Sequence, residues 1–155
     1  MPMPKEYHFE VQGAPRGQAR HRSRGMQITT KSGKTKLIAQ VYKDPEQRGI
    51  EDELRGAIRR HAPRRPHTGP IEMYLVAYYP IPQSWSKKKR AAAIAGEIRP
   101  FKAKPDISNV VKHLEDVMEG LFFVNDKQIC GGFQKKFYSE SPRVKIALLC
   151  EDAEG

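Results

Sequence analysis

The amino-acid sequence predicts an α+β fold: a mixed β-sheet of about five strands flanked by two or three helices, in a single domain over residues 1–155. Three observations lead there. A chain of 155 residues can bury one sizeable core and is short for two ordinary domains. Its apolar residues fall into short alternating or continuous runs that suit strands, and into two stretches with helical spacing. The order reads strand, strand, helix, strand, helix, helix, strand, strand, with no internal repeat and no long linker.

Each element has its own signal. Tyr7-His8-Phe9-Glu10-Val11 alternates and runs into the turn Gly13-Ala14-Pro15-Arg16-Gly17. Residues 16–36 hold Arg16, Arg20, Arg22, Arg24, Lys31, Lys34 and Lys36 among Ser, Thr and Gly, which predicts a mobile basic loop or ribbon outside the core. Lys36 to Tyr42 suits a second strand. At Asp44-Pro45-Glu46-Gln47 a cap, a first-turn proline and a capping-box position open a helix, and Ile50, Leu54, Ala57 and Ile58 give its apolar stripe. Ile71 to Tyr79 is apolar and aromatic throughout and ends at Pro80 and Pro82, the strongest strand signal in the chain. Ser84 or Ser86 can cap a short helix through Lys87-Lys88-Lys89-Arg90 and Ala91 to Ala95. From Gly96 to Pro105 the sequence reads as loop. Ile107 to Glu119 then forms a helix with the stripe Val110, Val111, Leu114, Val117 and Met118, stopped by Gly120. Two strands close the chain, Lys127 to Phe137, with Gly131-Gly132 as a bulge signal, and Arg143 to Leu149.

Composition narrows the function. Hydrophobic residues are 38% and charged residues 30%, and no apolar run approaches the roughly 20 residues of a membrane span. The start, Met1-Pro2-Met3-Pro4-Lys5-Glu6, has no apolar segment of the kind that directs secretion. Cys130 and Cys150 have no zinc-binding spacing and are too few for a disulfide scaffold, so a reducing, cytoplasmic setting with both thiols buried is expected. Net charge is +10, unevenly spread: residues 1–105 carry 22 Lys and Arg against 9 Asp and Glu, and residues 106–155 carry 6 against 9. That pattern suits cations for a polyanion and a few carboxylates for another task.

Those carboxylates have two readings. Asp106, in Lys104-Pro105-Asp106-Ile107-Ser108-Asn109-Val110-Val111-Lys112, stands at a helix mouth. Asp126, in Val124-Asn125-Asp126-Lys127-Gln128-Ile129, stands in the turn before a strand. They can be a helix cap and a turn residue. They can also converge and bind Mg²⁺ through oxygen, the usual apparatus of phosphodiester hydrolysis. Asp116 lies ten residues, roughly 15 Å, along the helix from Asp106, which favours a salt bridge or a dimer contact over shared ligation. His8, His21, His61, His67 and His113 have no metal-ligand spacing. Trp85 suits packing, and Phe122, Phe123, Phe133 and Phe137 suit a core or a dimer interface.

Taken together, Lys104 to Lys112, Glu115-Asp116, Gly120, and Asn125-Asp126-Lys127-Gln128-Ile129 resemble the RusA family of Holliday junction resolvases. That family carries D-x-[DS]-N-x-x-K, an Asp further along the helix, and D-[DSK]-x-Q-I before a strand. The stretch from Pro80 to Arg90 and the tail from Lys136 to Ile146 are similar to phage-type and Gram-positive-type members. The resemblance covers about residues 7–150 and is specific over 78–146.

The resemblance implies a homodimeric, Mg²⁺-dependent endodeoxyribonuclease, with Mn²⁺ able to substitute and no organic cofactor. It would resolve four-way DNA junctions by paired symmetric nicks during recombination, repair or phage DNA processing, in a bacterial or phage-infected cytoplasm. Asp106 and Asp126 match the metal ligands. Lys112 would meet the scissile phosphate or offset its charge, and Asn109 would orient a ligand or the loop. Ser108 stands where many members have Asp, and Asn125 where many have an acidic residue. Ser108 keeps an N-cap and a hydroxyl that can reach a metal directly or through water. Arg16, Arg20, Arg22, Arg24, Lys87, Lys88, Lys89, Arg90 and Lys104 are the expected DNA-binding cations. Two other classes stay open: a branched-DNA binding protein with weak or lost cleavage, and a basic nucleic-acid chaperone with no junction preference.

Overall fold

The structure, a computed structural model, describes residues 3–18, 22–29, 35–42 and 45–154, with side chains for 3–18 and 48–154. Two compact units are present, Met1–Gln18 with Leu54–Gly155, and Ala19–Glu53. The larger contains β1 (Lys5–Gln12), the end of α1 (Pro45–Arg59), β4 (Ile71–Pro80), α2 (Lys87–Ile94), α3 (Ile107–Met118), a 3-10 turn (Asp126–Gln128), β5 (Ile129–Ser139) and β6 (Arg143–Cys150). The smaller holds β2 (Arg22–Thr29) and β3 (Thr35–Tyr42), paired antiparallel from Arg22 opposite Tyr42 to Thr29 opposite Thr35.

The α+β class is as expected, but the mixed sheet has four strands, not five, in the order β1-β6-β4-β5. The second expected strand pairs with β2 in its own ribbon. Part of the basic segment is therefore strand, and alternation alone does not tell a strand which partner to take. Within the sheet, β1 and β4 run antiparallel to β6, and β4 runs parallel to β5. A parallel pair needs a long crossover. Here α2, the loop after it, α3 and the 3-10 turn supply that connection.

One face of the sheet is covered. Alternate residues of β4 (Ile71, Met73, Leu75, Ala77, Tyr79) and β6 (Val144, Ile146, Leu148, Cys150) are buried against Ile58 and against Val110, Leu114, Val117 and Met118 of α3. Phe122 and Phe123 complete the core at 0% exposure. The other phase of the sheet carries Tyr74, Val76 and Tyr78 beside Phe133, Lys135 and Phe137. Phe133 is 47% exposed and Phe137 half-buried, so the four phenylalanines divide, two in the core and two on the opposite face of the sheet.

The β4–β5 register shifts between Ile71 and Glu72, where the glycine pair predicted a bulge. Gly132 has φ +127°, and a Cβ there would lie 1.7 Å from the Met73 carbonyl oxygen. Only glycine fits that approach. Boundaries differ by a residue or two: β5 starts at Ile129 because Asp126–Gln128 forms the 3-10 turn, and α3 ends at Met118. Ser86, not Ser84, caps α2 by accepting from Lys89 N at 3.2 Å. Asp44 and its capping-box contact with Gln47 lie outside the described residues and side chains. The expectation that both thiols are buried fails for Cys130, which is exposed on β5, the edge strand. Burial pushes the Cys150 thiol up to about 11, with the Asp152 charge acting in the same direction.

Candidate active site

The site is built around the start of α3. Asp106 is the N-cap, with extended backbone (φ −61°, ψ 143°), and its carbonyl accepts from Asn109 N at 3.0 Å and Val110 N at 3.2 Å. An N-cap aspartate ordinarily turns its carboxylate inward onto the free N–H groups of the first turn. Here the side chain makes no cap hydrogen bond; it is 56% exposed and lies 3.2 Å from Lys104 Nζ. Its oxygens are thus largely open to solvent. Ser108 is the second helical residue and not the cap, which corrects the expectation that it preserves helix entry by capping. Ser108, Asn109 and Lys112 are exposed, opposite the buried stripe.

The loop before α3 is held from the sheet. Tyr79, at the end of β4, is 1% exposed, and its hydroxyl donates to Pro105 O at 2.6 Å. Lys136, on β5, donates from Nζ to Ala103 O at 2.8 Å and sits 4.7 Å from the Tyr79 ring centroid. Burial pushes the Tyr79 phenol up to about 12, and the Asp106 charge adds to that. Burial lowers the Lys136 pKa, with Asp106 opposing and Lys104 reinforcing the shift. The sequence reading missed both residues. They meet because parallel pairing sets Lys136 beside Ala77, one pleat from the Tyr79–Tyr138 pair.

A strap from the N-terminal segment crosses the same helix turn. A Cβ at Gly17 would lie 3.1 Å from Pro105 Cβ and 3.3 Å from Asn109 Cβ, so Gly17 packs directly on the mouth of α3. Next to it, Gln18 Nε2 donates to Asp116 Oδ2. Asp116 therefore has a hydrogen-bond partner among the described residues. The adjoining Arg16 is exposed.

Asp126 begins the 3-10 turn, and no hydrogen bond or ion pair of the described residues engages its carboxylate. The turn itself is rigidly specified. Asn125 Oδ1 accepts from Lys127 N at 2.8 Å, and Gln128 Oε1 accepts from Val124 N and Asn125 N, both at 2.8 Å. Gln128 Nε2 donates to His67 O at 2.8 Å and Gly69 O at 3.0 Å. Asn125 thus does the work of a cap, for which an amide serves as well as a carboxylate.

The two carboxylates have different neighbours. Tyr79 and Lys136 sense Asp106, whereas Glu115 senses Asp126 and Asp116. Glu115 stands about 13 Å along α3 from Asp106, nine residues on. Burial raises its pKa most, then Asp126 and Asp116, with Lys112 opposing. A carboxyl with a raised folded pKa favours folding while protonated. That contribution is full below the ordinary value of 4.5 and is lost as pH rises through the raised value. Glu115→Gln is therefore expected to raise the thermal midpoint at pH 7 and to leave it unchanged at pH 4. Equal shifts at both pH values would show that the charge is not the cause.

Among the described residues no three His, Cys, Asp or Glu side chains cluster into a metal cage. Mg²⁺ does not need one, because it keeps several waters and is often held by one or two carboxylates together with substrate phosphates. Asp106 and Asp126 are each exposed and offer the hard oxygen donors that such an ion takes.

The expected DNA-binding cations distribute unevenly. Lys87, Lys88, Lys89 and Lys104 are exposed, and Arg90 is half-buried, donating to Pro82 O at 3.3 Å. Lys89 Nζ lies 4.1 Å from the centroid of Trp85, which packs edge-on against Tyr138 as a structural residue. Arg20 lies outside the described residues, as do the side chains of Arg22 and Arg24 on β2.

The sequence pattern of the family described as endodeoxyribonuclease RusA matches residues 12–149. The chain belongs to the RusA endodeoxyribonuclease family. A Bacillus subtilis (strain 168) protein, "Uncharacterized protein YqaN", is 33% identical over 143 residues, which is 90% of this chain and 93% of the relative. The RusA match spans the whole of α3, the 3-10 turn and both candidate carboxylates, and it supports a nuclease in general terms. No helix among the described residues is long and apolar enough to cross a membrane.

Proposed function

We propose that this chain is a Mg²⁺-dependent, structure-selective endodeoxyribonuclease that resolves four-way DNA junctions by paired symmetric nicks, acting as a homodimer. The observation that carries this reading is the Asp106 carboxylate, turned away from the helix it caps and open to solvent at the mouth of α3, in a RusA-family chain of net charge +10. The same fold would serve DNA recombination and repair or phage DNA processing, in the cytoplasm of a bacterium or of a phage-infected bacterial cell.

Asp106 and Asp126 would hold Mg²⁺, with Mn²⁺ able to substitute, and no organic cofactor is required. When bound, the ion supplies phosphate polarisation and a lowered pKa for an attacking water. Lys112, exposed on the second turn of α3, would meet the scissile phosphate or offset charge that develops on it. Asn109, pressed by Gly17, orients the loop or a ligand. Ser108 would offer its hydroxyl to the ion directly or through water. Arg16, Lys87, Lys88, Lys89, Arg90 and Lys104, with Arg20, Arg22 and Arg24, would track phosphates and not bases. A four-way junction has two-fold symmetry, and a two-fold dimer presents one site to each of two opposed strands.

Binding can be tested apart from cleavage. In EDTA, the chain is expected to bind a synthetic four-way junction at least about tenfold more tightly than a linear duplex of the same sequence, a difference of about 1.4 kcal/mol. If six or more of these cations meet phosphates, junction affinity falls by roughly 10³ or more between about 50 and 200 mM salt. Equal affinity for junction and duplex contradicts the proposal and favours a nucleic-acid chaperone.

A further inference from the structure

We propose that Lys136 and Tyr79 are positioning residues for Asp106: from two neighbouring strands they hold the Ala103–Pro105 segment so that the Asp106 carboxylate faces a divalent cation and not its own helix. This rests on the metal-dependent reading above and adds two residues to it, neither of which lies in the D-x-[DS]-N-x-x-K or D-[DSK]-x-Q-I patterns.

The geometry is specific. The carbonyls of Ala103 and Pro105 flank Lys104, and each is taken by a side chain of the sheet. Lys136 Nζ reaches the first at 2.8 Å and Tyr79 Oη the second at 2.6 Å. The two donors brace each other, with the ammonium 4.7 Å from the phenol centroid. Lys136 is itself anchored, because Arg99 Nε donates to its backbone carbonyl at 2.7 Å. Pro105 immediately precedes Asp106, and the Asp106 carbonyl is already committed to Asn109 N and Val110 N. The backbone on both sides of the carboxylate is thereby fixed. An aspartate at this position would gain about 1 kcal/mol by capping its own helix. It does not do so; its carboxylate lies 3.2 Å from Lys104 Nζ, a residue of the segment that the two donors hold.

A lysine in this place has a second possible role, as a cation that competes with a metal for Asp106. The two roles predict opposite signs. Removing a competing charge tightens metal binding, whereas removing a brace loosens it.

The test measures Mn²⁺ binding to the DNA-free protein by electron paramagnetic resonance, with junction binding in EDTA beside it. For Lys136→Met, Mn²⁺ affinity is expected to fall about tenfold, and Lys136→Arg, which keeps a donor and a charge, restores it to within about threefold. Tyr79→Phe keeps the buried ring and loses only the hydroxyl that holds Pro105 O, and affinity should fall about fivefold. Junction binding in EDTA should stay within about twofold in all three. Unchanged or tighter Mn²⁺ binding in both Lys136→Met and Tyr79→Phe overturns the inference. So does a loss of junction binding as large as the loss of Mn²⁺, which would make Lys136 a DNA contact. If Lys136→Met does not fold, Tyr79→Phe alone decides. Asp106→Asn is the control: should wild type bind no Mn²⁺, or Asp106→Asn bind it equally well, the metal reading fails and this inference with it. A normal control with indifferent Lys136 and Tyr79 variants sinks the inference alone.

Discussion

Asp106→Asn is expected to lower the rate of junction nicking in Mg²⁺ by a factor of about 10³ or more, roughly 4 kcal/mol of transition-state stabilisation, while junction binding in EDTA changes by no more than about threefold. The substitution is well suited to separate chemistry from structure. Asn is as good an N-cap as Asp, and the Asp106 side chain makes no cap hydrogen bond to lose. The one polar contact that the carboxylate makes among the described residues is with Lys104, at 3.2 Å and largely exposed, a pair worth at most about 1 kcal/mol. The fold should therefore survive almost intact. What disappears is an anionic oxygen at the mouth of α3. Nicking within tenfold of wild type would mean that Asp106 is a helix-start residue and that the cation, if there is one, sits elsewhere.

Gly132→Ala is expected to be the most damaging single substitution to the sheet, at about 4 kcal/mol or more, read from the midpoint of urea unfolding with the slope unchanged. Two causes combine. The backbone at Gly132 has φ +127°, a region that side-chain-bearing residues rarely adopt. The new Cβ would lie 1.7 Å from Met73 O and 2.6 Å from Met73 C, which is backbone of the neighbouring strand and has no rotamer to change. Relief requires β4 and β5 to separate where they pair. Because Lys136 follows four residues later on β5, the loop that carries Asp106 should loosen as well. A cost below about 1 kcal/mol would show that β5 can slip its register here.

Much of this was legible in the residues themselves. Strong periodicity located α3 and β4, since Val110, Leu114, Val117 and Met118 recur at helical spacing and Ile71 to Tyr79 has no polar interruption but Glu72. The glycine pair before Phe133 located the irregularity in β5. The exposed motif residues, Asp106, Ser108, Asn109, Lys112 and Asp126, stand at the helix mouth, helix face and turn where spacing put them.

What did not show in the sequence depended on strand partners and register. The segment from Thr35 to Tyr42 has the alternation of a sheet strand, but its partner is β2. Lys136 and Tyr79 are 57 positions apart, and only the parallel β4–β5 register brings them together. A lysine at a core-facing position of β5, in phase with Gln134 and Tyr138, was the one local signal that it had a partner inside. The helix start at Asp106 is as expected, and only the capping role expected of Ser108 fails. Asp106 and Ser108 are equally good cap residues by type, so residue type alone does not say which one occupies the cap; in the structure it is Asp106. Gly17 and Gln18 likewise reach Asn109 and Asp116 through tertiary placement alone.

The most direct test of the central claim is a nicking assay of the wild-type protein with Mg²⁺, on a four-way junction labelled in turn on each strand, beside a linear duplex of the same sequence. Paired nicks at symmetric positions on two opposed strands, with the linear duplex left uncut, are the predicted result. Tight junction binding without cleavage in either Mg²⁺ or Mn²⁺ would contradict it and leave a branched-DNA binding protein in which Ser108 has cost the site its chemistry.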